Sequence, residues 1–268
     1  MSIHLSLELS KNNIAMLTLN RPDVHNAFNA ELIAELTRAF DELASAPPRV
    51  LVLTGAGKSF SAGADVGWMR TMADAGEAEN RADSERLAAM FRKLDELPCP
   101  TIARVNGPAF GGGVGLVSCC DIAIASEGAK FGLTEVRLGL IPATIAPFVI
   151  ARIGASAARR FMLTGERFDT DTARAIGLVE ETCAAEELDA QVESIATALL
   201  ASGPQAVAEC KQLIRRVATF DGPAGELDAI TAECIARLRV GDEGQEGLRA
   251  FLEKRTPKWS DASKGKSN

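Results

Sequence analysis

Four glycines fall within five consecutive positions of the segment AFGGGVGLVSCCD, where only Val114 interrupts the run from Gly111 to Gly115. Glycine loses more backbone entropy on folding than any other residue, so this run in an apolar segment indicates that some group must approach the main chain closely. The preceding TIARV is strand-like, and VGLVSCC is apolar enough to begin a buried helix. Amides at the start of a helix have no partner within it, so they can bind a developing oxyanion.

Phosphate binding and close packing are two other uses of such a run. A phosphate-binding Walker loop continues with Gly-Lys-Ser/Thr, whereas Val114 and Gly115 follow here. A dinucleotide-binding G-x-G-x-x-G motif ends in glycine and lies early in a chain, whereas the matching position here is Ser118. Phosphate binding is therefore disfavoured, while close packing of a helix against a sheet stays open as an alternative.

A second loop of small residues supplies the other donor that an oxyanion site needs. The segment GKSFSAGADVGWM follows the strand-like RVLVLTG, and Ala62, Gly63 and Ala64 leave its backbone uncovered. Asp65 is a residue type that caps the helix after it. Together the two loops favour an oxyanion site built from backbone amides.

Composition disfavours several classes of function. The net charge is −7, and nucleic-acid binding needs a basic face, so we expect no nucleic-acid partner. No run of 18 apolar residues and no signal-peptide pattern occurs, so we expect no membrane span. The six cysteines lack metal spacing and the two histidines are His4 and His25, which predicts no metal site, buried free thiols and a cytoplasmic protein.

Hydrophobic periodicity predicts an α/β core followed by an almost wholly helical part from about residue 146. The predicted strands are 5–9, 14–20, 49–55, a segment within 100–107, and 121–126. The predicted helices are 30–44, 80–97, 186–201, 204–218, 224–239 and 242–254. We assign residues 1–200 to the core and residues 201–268 to a helical region with a polar tail. The apolar stripe Leu227, Ile230, Cys234 and Leu238 predicts packing against a neighbouring subunit.

Several motifs in register resemble the crotonase superfamily, also called the enoyl-CoA hydratase/isomerase family. They are LNRPDVHNAFN (19–29), GKSFSAGAD (57–65), VNGPAFGGGVGLVSCCDIAIAS (105–126), FGLTEVRLGLIP (131–142), RRFMLTGERFDTDTARAIGLV (159–179) and FLEKRTPKW (251–259). The resemblance implies a superhelical core of ββα repeats with a C-terminal helical trimerisation region, assembled as a trimer or a dimer of trimers. It also implies an acyl-CoA thioester substrate, with coenzyme A as part of that substrate and no separate cofactor.

The same resemblance assigns roles to individual residues. The amides of Ala64 and Gly112 would form the oxyanion hole, and a side chain within the run at Gly111 or Gly112 would obstruct the thioester. The backbone that would hold coenzyme A belongs to Ala27, Ala62, Ala64, Asp65 and Val66.

The nucleotide end of coenzyme A would meet Phe251 and Lys254, often from an adjacent subunit. An ordinary exposed helix end is the alternative for these two residues. Asp23 and Gly67 stand where the family commonly has lysine, which weakens the expected phosphate contacts.

Hydratases of this family usually have two glutamates, and this chain keeps one. Gly115 stands at the first position and Glu135 at the second. An apolar pocket of Leu133, Leu138 and Leu140 would raise the pKa of Glu135 and suit it to proton transfer. Glycine at position 115 would leave room in the acyl pocket for a branched or carboxylated chain.

One carboxylate permits either hydration or movement of a double bond. The segment FGLTEVRLGLIPATIAPFVIARIG resembles bacterial 3-methylglutaconyl-CoA hydratases, whose substrate carries a second carboxylate. A polar or cationic group should then line the acyl pocket, and the candidates are Thr144, Arg137 and Ser118. A purely structural role is the alternative for all three. The alternative for Glu135 is a capping residue or a salt bridge with Arg137.

Hydration of a glutaconyl-CoA is the leading prediction from these residues. The alternatives within the fold are a Δ3,Δ2-enoyl-CoA isomerase and a decarboxylase. A non-catalytic relative that binds CoA esters or RNA is the alternative of another class.

Overall fold

The computed structural model describes residues 3–261, and the elements below are those of this part of the chain. The strands are β1 (Leu5–Leu9), β2 (Ile14–Leu19), β3 (Val50–Gly55), β4 (Thr101–Val105), β5 (Ala109–Phe110), β6 (Ile122–Ser126), β7 (Lys130–Gly132), β8 (Arg167–Asp169) and β9 (Glu181–Cys183). The helices are α1 (Ala30–Ser45), α2 (Val66–Asp74), α3 (Glu77–Asp95), α4 (Gly112–Cys119), α5 (Ala146–Thr164), α6 (Thr170–Ala175), α7 (Leu188–Ala201), α8 (Pro204–Ala218), α9 (Ala224–Val240), α10 (Asp242–Leu252) and α11 (Lys258–Asp261).

The main sheet has the strand order β1-β2-β3-β4-β6-β9. In this sheet β1 and β2 form an antiparallel pair, whereas β2, β3, β4, β6 and β9 run parallel to one another. A smaller sheet has the order β5-β7-β8. The mixture of parallel strands and helices is the predicted α/β fold.

Both faces of the main sheet are covered, which explains why β3 reads as a continuous apolar run. Leu51 and Leu53 face the larger core, which includes side chains of α1, α3 and α4. Val50 and Val52 face the other side, where they belong to a smaller cluster with residues of α7. Because every residue of β3 is buried, the strand has no polar face to reveal a period of two.

The parallel pairing of β3 with β4 brings two loops to one edge of the sheet. Leu51 pairs with Thr101, so the carboxyl ends of the two strands lie side by side. Backbone hydrogen bonds then join the loops themselves, from Ser61 N to Pro108 O at 3.2 Å and from Phe110 N to Ser61 O at 2.9 Å. The loop after β3 and the glycine run after β5 are therefore held against each other.

Most predicted elements occur, and the differences lie in short or locally ambiguous segments. Strands β8 and β9 lie within the part predicted to be almost wholly helical, and each has three residues. Three residues are too few to display a hydrophobic period. Helix α3 starts at Glu77 and not at residue 80, and it ends at Asp95.

The C-terminal helices contact the core at a buried lysine. Lys211 of α8 is 8% exposed, and its Nζ lies 2.8 Å from Asp121 Oδ2 and 3.2 Å from Cys99 O. Helix α9 has no buried residue, and all four members of its predicted stripe are half-buried. The assignment of 201–268 to a separate region stays a prediction, and residues 262–268 of its tail lie outside the described residues.

The cysteine prediction is correct for four residues and wrong for two. Cys99, Cys119, Cys120 and Cys183 are buried free thiols, whereas Cys210 is exposed and Cys234 is half-buried. Both exceptions lie on the C-terminal helices, where this chain provides little cover. None of the helices within residues 3–261 has the length and apolar character to cross a membrane.

Candidate active site

A cavity of about 320 Å³ opens where the two loops meet. Five of the residues predicted for the site line this cavity: Ala62, Ala64, Gly111, Gly112 and Glu135. Helices α2 and α3 and the segment 138–145 supply much of the remaining wall. Two other pockets, of about 450 and 440 Å³, include none of the predicted site residues.

Two backbone amides at this cavity have no acceptor. Among the described residues, neither Ala64 N nor Gly112 N donates a hydrogen bond, whereas Asp65 N and Gly111 N both do. Gly63 O accepts from Phe28 N at 2.6 Å, and Gly111 N donates to Gly132 O at 2.9 Å. The surrounding backbone is thus fixed while two N–H groups stay available, which is the requirement for an oxyanion hole.

Close packing and amide exposure are both reasons for the glycines. A β-carbon added at Gly63 would lie 2.7 Å from Phe110 O and 3.5 Å from Gly112 N, so the two loops touch there. At Gly112 the added carbon would lie 2.3 Å from Phe28 Cε2. Gly111 has a φ of +50°, which L side chains rarely adopt, and its β-carbon would lie 3.0 Å from Glu135 Oε1.

The expectation of open space beside Gly115 is wrong. A β-carbon at this position would lie 2.4 Å from Ile145 Cγ2 and 2.9 Å from Phe91 Cε1. Gly115 is buried in α4 and is not among the cavity residues. Two side chains distant in sequence therefore fill the space that the missing glutamate would leave, and no acyl chain can occupy it as the structure stands.

Glu135 lies at the cavity with one carboxylate oxygen unsatisfied. It begins a short 3₁₀ turn, Glu135–Leu138, and its Oε2 is buried with no hydrogen-bond partner among the described residues. Burial raises the pKa of this carboxyl above its ordinary value. Leu138 and Leu140 line the same cavity as predicted, whereas Leu133 is fully buried in the core and does not.

The candidates for binding a second carboxylate separate into one that faces the cavity and two that do not. Thr144 lines the cavity. Ser118 is buried in α4, where its Oγ has no partner among the described residues. Arg137 is exposed and lies against Gly165, and the structure shows no salt bridge between Arg137 and Glu135 in the described part of the chain.

The predicted coenzyme A residues flank the cavity to different degrees. Asp65 caps α2 as predicted, since its Oδ1 accepts from Gly67 N at 2.8 Å and from Trp68 N at 3.3 Å. Ala27 is buried, and Val66 is 60% exposed at the first position of α2. These residues adjoin the lining without belonging to it, so their contacts with coenzyme A stay predictions.

Phe251 and Lys254 do not reach this cavity within one chain. Phe251 is 81% exposed at the end of α10, and Lys254 follows with a φ of +54°. Both features fit the exposed helix end that was the alternative. A role in binding would require contact with a neighbouring subunit.

Trp68 and Asp83 line the cavity, and no pattern in the sequence selects them. The buried Trp68 Nε1 has no partner among the described residues. Asp83 is 6% exposed, and its Oδ1 accepts from Arg86 Nη2 at 3.0 Å. Asp83 lies in a helix rich in charged residues, where a solvent-facing position is the ordinary expectation.

Comparison with known proteins agrees with the geometry. Residues 10–262 match the family described as enoyl-CoA hydratase/isomerase. The crotonyl-CoA hydratase of Syntrophomonas wolfei is 34% identical over 248 residues, which cover 90% of this chain and 92% of that protein.

Solved structures resemble the whole chain. An enoyl-CoA hydratase from Shewanella pealeana has a TM-score of 0.92 and 43% identity, with 97% of each chain covered. An enoyl-CoA hydratase from Mycobacterium smegmatis has a TM-score of 0.89 and 32% identity, covering 96% of this chain and 98% of that one.

Replacing Gly115 with alanine tests the filled space in α4. We expect Gly115→Ala to lower the free energy of unfolding by about 1–3 kcal/mol, because the added methyl group overlaps Ile145 and Phe91. Gly225→Ala is the matched control, since nothing lies within 4 Å of a β-carbon at that helical position. Urea unfolding measures both variants, and equal stability of the two would contradict the packing at Gly115.

Proposed function

The chain belongs to the enoyl-CoA hydratase/isomerase family, and from that premise we propose that it adds water across the α,β-double bond of an enoyl-CoA thioester. One observation carries the proposal. The free Oε2 of Glu135 and the two unpartnered amides, of Ala64 and Gly112, belong to the same cavity. A proton-transfer group thus lies near the place where charge would develop on a bound thioester.

A single carboxylate is enough for both proton transfers. Glu135 takes a proton from water as the water oxygen bonds to the β-carbon, and the π electrons move onto the thioester oxygen. The N–H groups of Ala64 and Gly112 stabilise that negative charge. Glu135 then returns the proton to the α-carbon as the thioester carbonyl forms again, which leaves the carboxylate ionised.

Isomerisation of the double bond is the second candidate, because Gly115 stands where the family usually has the first of its two glutamates. In that reaction Glu135 would take a proton from the α-carbon of a β,γ-unsaturated thioester and return it to the γ-carbon, with the same oxyanion stabilisation. The two reactions differ in mass, since hydration adds one water and isomerisation adds nothing.

We further propose 3-methylglutaconyl-CoA, or a related glutaconyl-CoA, as the substrate. The segment 131–154 supports this through its resemblance to such hydratases, and the Thr144 hydroxyl at the cavity is available to a second carboxylate. Arg86 offsets the negative charge of Asp83, which would otherwise oppose an anionic acyl chain.

A trimer or a dimer of trimers is the proposed assembly. Several large apolar side chains of the C-terminal helices are exposed in the single chain, among them Ile214 at 64%, Val240 at 77% and Phe251 at 81%. Contact between subunits would remove this apolar surface from water.

Glu135→Gln should lower kcat for hydration by roughly 10²- to 10⁴-fold while leaving CoA-ester affinity nearly unchanged. The reason is that glutamine matches the shape of the carboxylate but accepts no proton from water. Glu85→Gln is the control, because Glu85 is exposed on α3. Retention of more than half the activity by Glu135→Gln would exclude the assigned role.

The pH dependence of the same variant gives a second readout. Burial raises the pKa of Glu135, so its ionised form destabilises the folded protein. As the pH is lowered, the kcat/KM of the native protein should therefore begin to fall at a higher pH than it would with an ordinary glutamate. Glu135→Gln should therefore unfold at a higher temperature than the native protein at pH 7. The difference should vanish at a pH below the ordinary glutamate range, where Glu135 is protonated in both folded and unfolded states.

A panel of thioesters tests the reaction and the acyl group together. We expect crotonyl-CoA and 3-methylglutaconyl-CoA each to gain one water, with the larger kcat/KM for the glutaconyl ester, and 3-hexenoyl-CoA to react slowly. Thr144→Val should lower kcat/KM for 3-methylglutaconyl-CoA by roughly 10- to 150-fold, since a hydrogen bond to a charged group contributes about 1.5–3 kcal/mol. Crotonyl-CoA serves as the control substrate, and an equal loss on both esters would refute the role of Thr144.

Light scattering tests the assembly at micromolar concentration. We expect the mass of a trimer or a hexamer, because the exposed apolar side chains of α8, α9 and α10 need cover. A mass of 28.3 kDa, which is that of one chain, would contradict the proposal.

A further inference from the structure

We propose that Arg21 positions and polarises the Ala64 amide through two hydrogen-bonded peptide units. Arg21 does not line the cavity, and its side chain is 15% exposed beside Asp65. The inference rests on the proposed function, because it concerns the N–H group that would stabilise the thioester oxygen. It adds a positioning residue to a site otherwise made of Ala64, Gly112 and Glu135.

The first peptide unit joins Ala27 to Phe28. Arg21 Nη1 donates a hydrogen bond to Ala27 O. Phe28 N, in the same peptide unit, donates to Gly63 O at 2.6 Å. The guanidinium therefore binds one end of a peptide dipole whose other end binds the oxyanion loop.

The second peptide unit joins Gly63 to Ala64. Because the chain has no cis peptide bond within the described residues, the N–H of Ala64 points away from the Gly63 carbonyl. Gly63 O is held by Phe28 N, so the Ala64 N–H is directed to the opposite side, where Ala64 lines the cavity. The direction of this donor thus depends on the position of the Phe28 amide.

Hydrogen bonds in such a chain polarise one another. The positive guanidinium draws electron density toward Ala27 O, which makes the Phe28 N–H a stronger donor. The Gly63 carbonyl is polarised in turn, and the Ala64 N–H becomes a stronger donor toward a developing oxyanion. A cation outside the cavity can in this way contribute to charge stabilisation inside it.

Asp65 fixes the guanidinium in the required orientation. Its Oδ2 accepts from Arg21 Nη2 at 3.0 Å, while its Oδ1 caps α2. Asp65 N also donates to Phe28 O at 2.8 Å, which ties the two loops on the other side of Phe28. Burial opposes ionisation of Asp65, but the amides of Gly67 and Trp68 and the guanidinium of Arg21 hold its pKa below the ordinary value.

A planar fork is essential to this arrangement. Two nitrogens of one guanidinium reach Ala27 O and Asp65 Oδ2, and a lysine ammonium keeps the charge without that geometry. Arg21→Lys therefore separates charge from position. Arg81→Lys is the matched control, because Arg81 forms an exposed ion pair with Glu77 on α3.

Binding of 4-dimethylaminocinnamoyl-CoA measures the polarisation directly, since its absorption band moves to longer wavelength when the thioester carbonyl is polarised. We expect Arg21→Lys to reduce this band shift and to lower kcat roughly 10- to 100-fold, less than the 10²–10³ of complete donor loss, with little change in KM. Arg81→Lys should match the native protein in both measurements.

A folded Arg21→Lys protein with the native band shift and native kcat would overturn the inference, as would a loss of stability alone. If Arg21→Lys does not fold, Asp65→Asn is measured in its place. Asparagine can still cap α2, but the ion pair that orients the guanidinium is lost, so the band shift and kcat should again fall. If the native protein hydrates no enoyl-CoA, the proposed reaction is refuted. A smaller band shift in Arg21→Lys would still support the inference about Arg21 in that case.

Discussion

Contact between the loops after β3 and after β4 is the constraint on which the site depends. Backbone bonds through Ser61 and Pro108 hold the loops so closely that Gly63 and Gly113 have no room for a side chain, since a β-carbon at Gly113 would lie 2.4 Å from Ser61 O. That contact leaves the N–H groups of Ala64 and Gly112 without acceptors at one cavity. The glycines are thus needed for packing, and the packing exposes the donors.

Much of the fold and the centre of the site could be predicted from the sequence because the signals are local. The glycine run, the small residues before Asp65 and the helix periods are each contained in a short segment. Gly115 shows where this reasoning ends, because the absence of a side chain does not say what fills the space. Ile145 and Phe91 fill it, and both come from distant segments. Trp68 and Asp83 were missed for the same reason, since only tertiary packing turns them toward the cavity.

Glu135 illustrates how the site opposes the stability of the fold. An unpartnered, buried carboxylate oxygen destabilises a folded protein when the group is ionised, and the raised pKa of Glu135 reflects that cost. The half-buried Asp121, in contrast, accepts hydrogen bonds from Lys211 and Thr101. Within residues 3–261, the buried carboxylate oxygen that has no hydrogen-bond partner is Glu135 Oε2, and Glu135 lines the cavity.

A site with one carboxylate relies more heavily on its backbone donors. When Glu135 must both take and return the same proton, negative charge stays on the thioester oxygen until the proton comes back, and no second acid at position 115 can shorten that interval. The amides of Ala64 and Gly112 must stabilise the charge throughout. A guanidinium that strengthens the Ala64 donor without entering the cavity adds to this stabilisation while leaving room for the substrate. In the proposed arrangement, Asp65 orients the Arg21 guanidinium, and the guanidinium polarises the two peptide units that end at the Ala64 N–H.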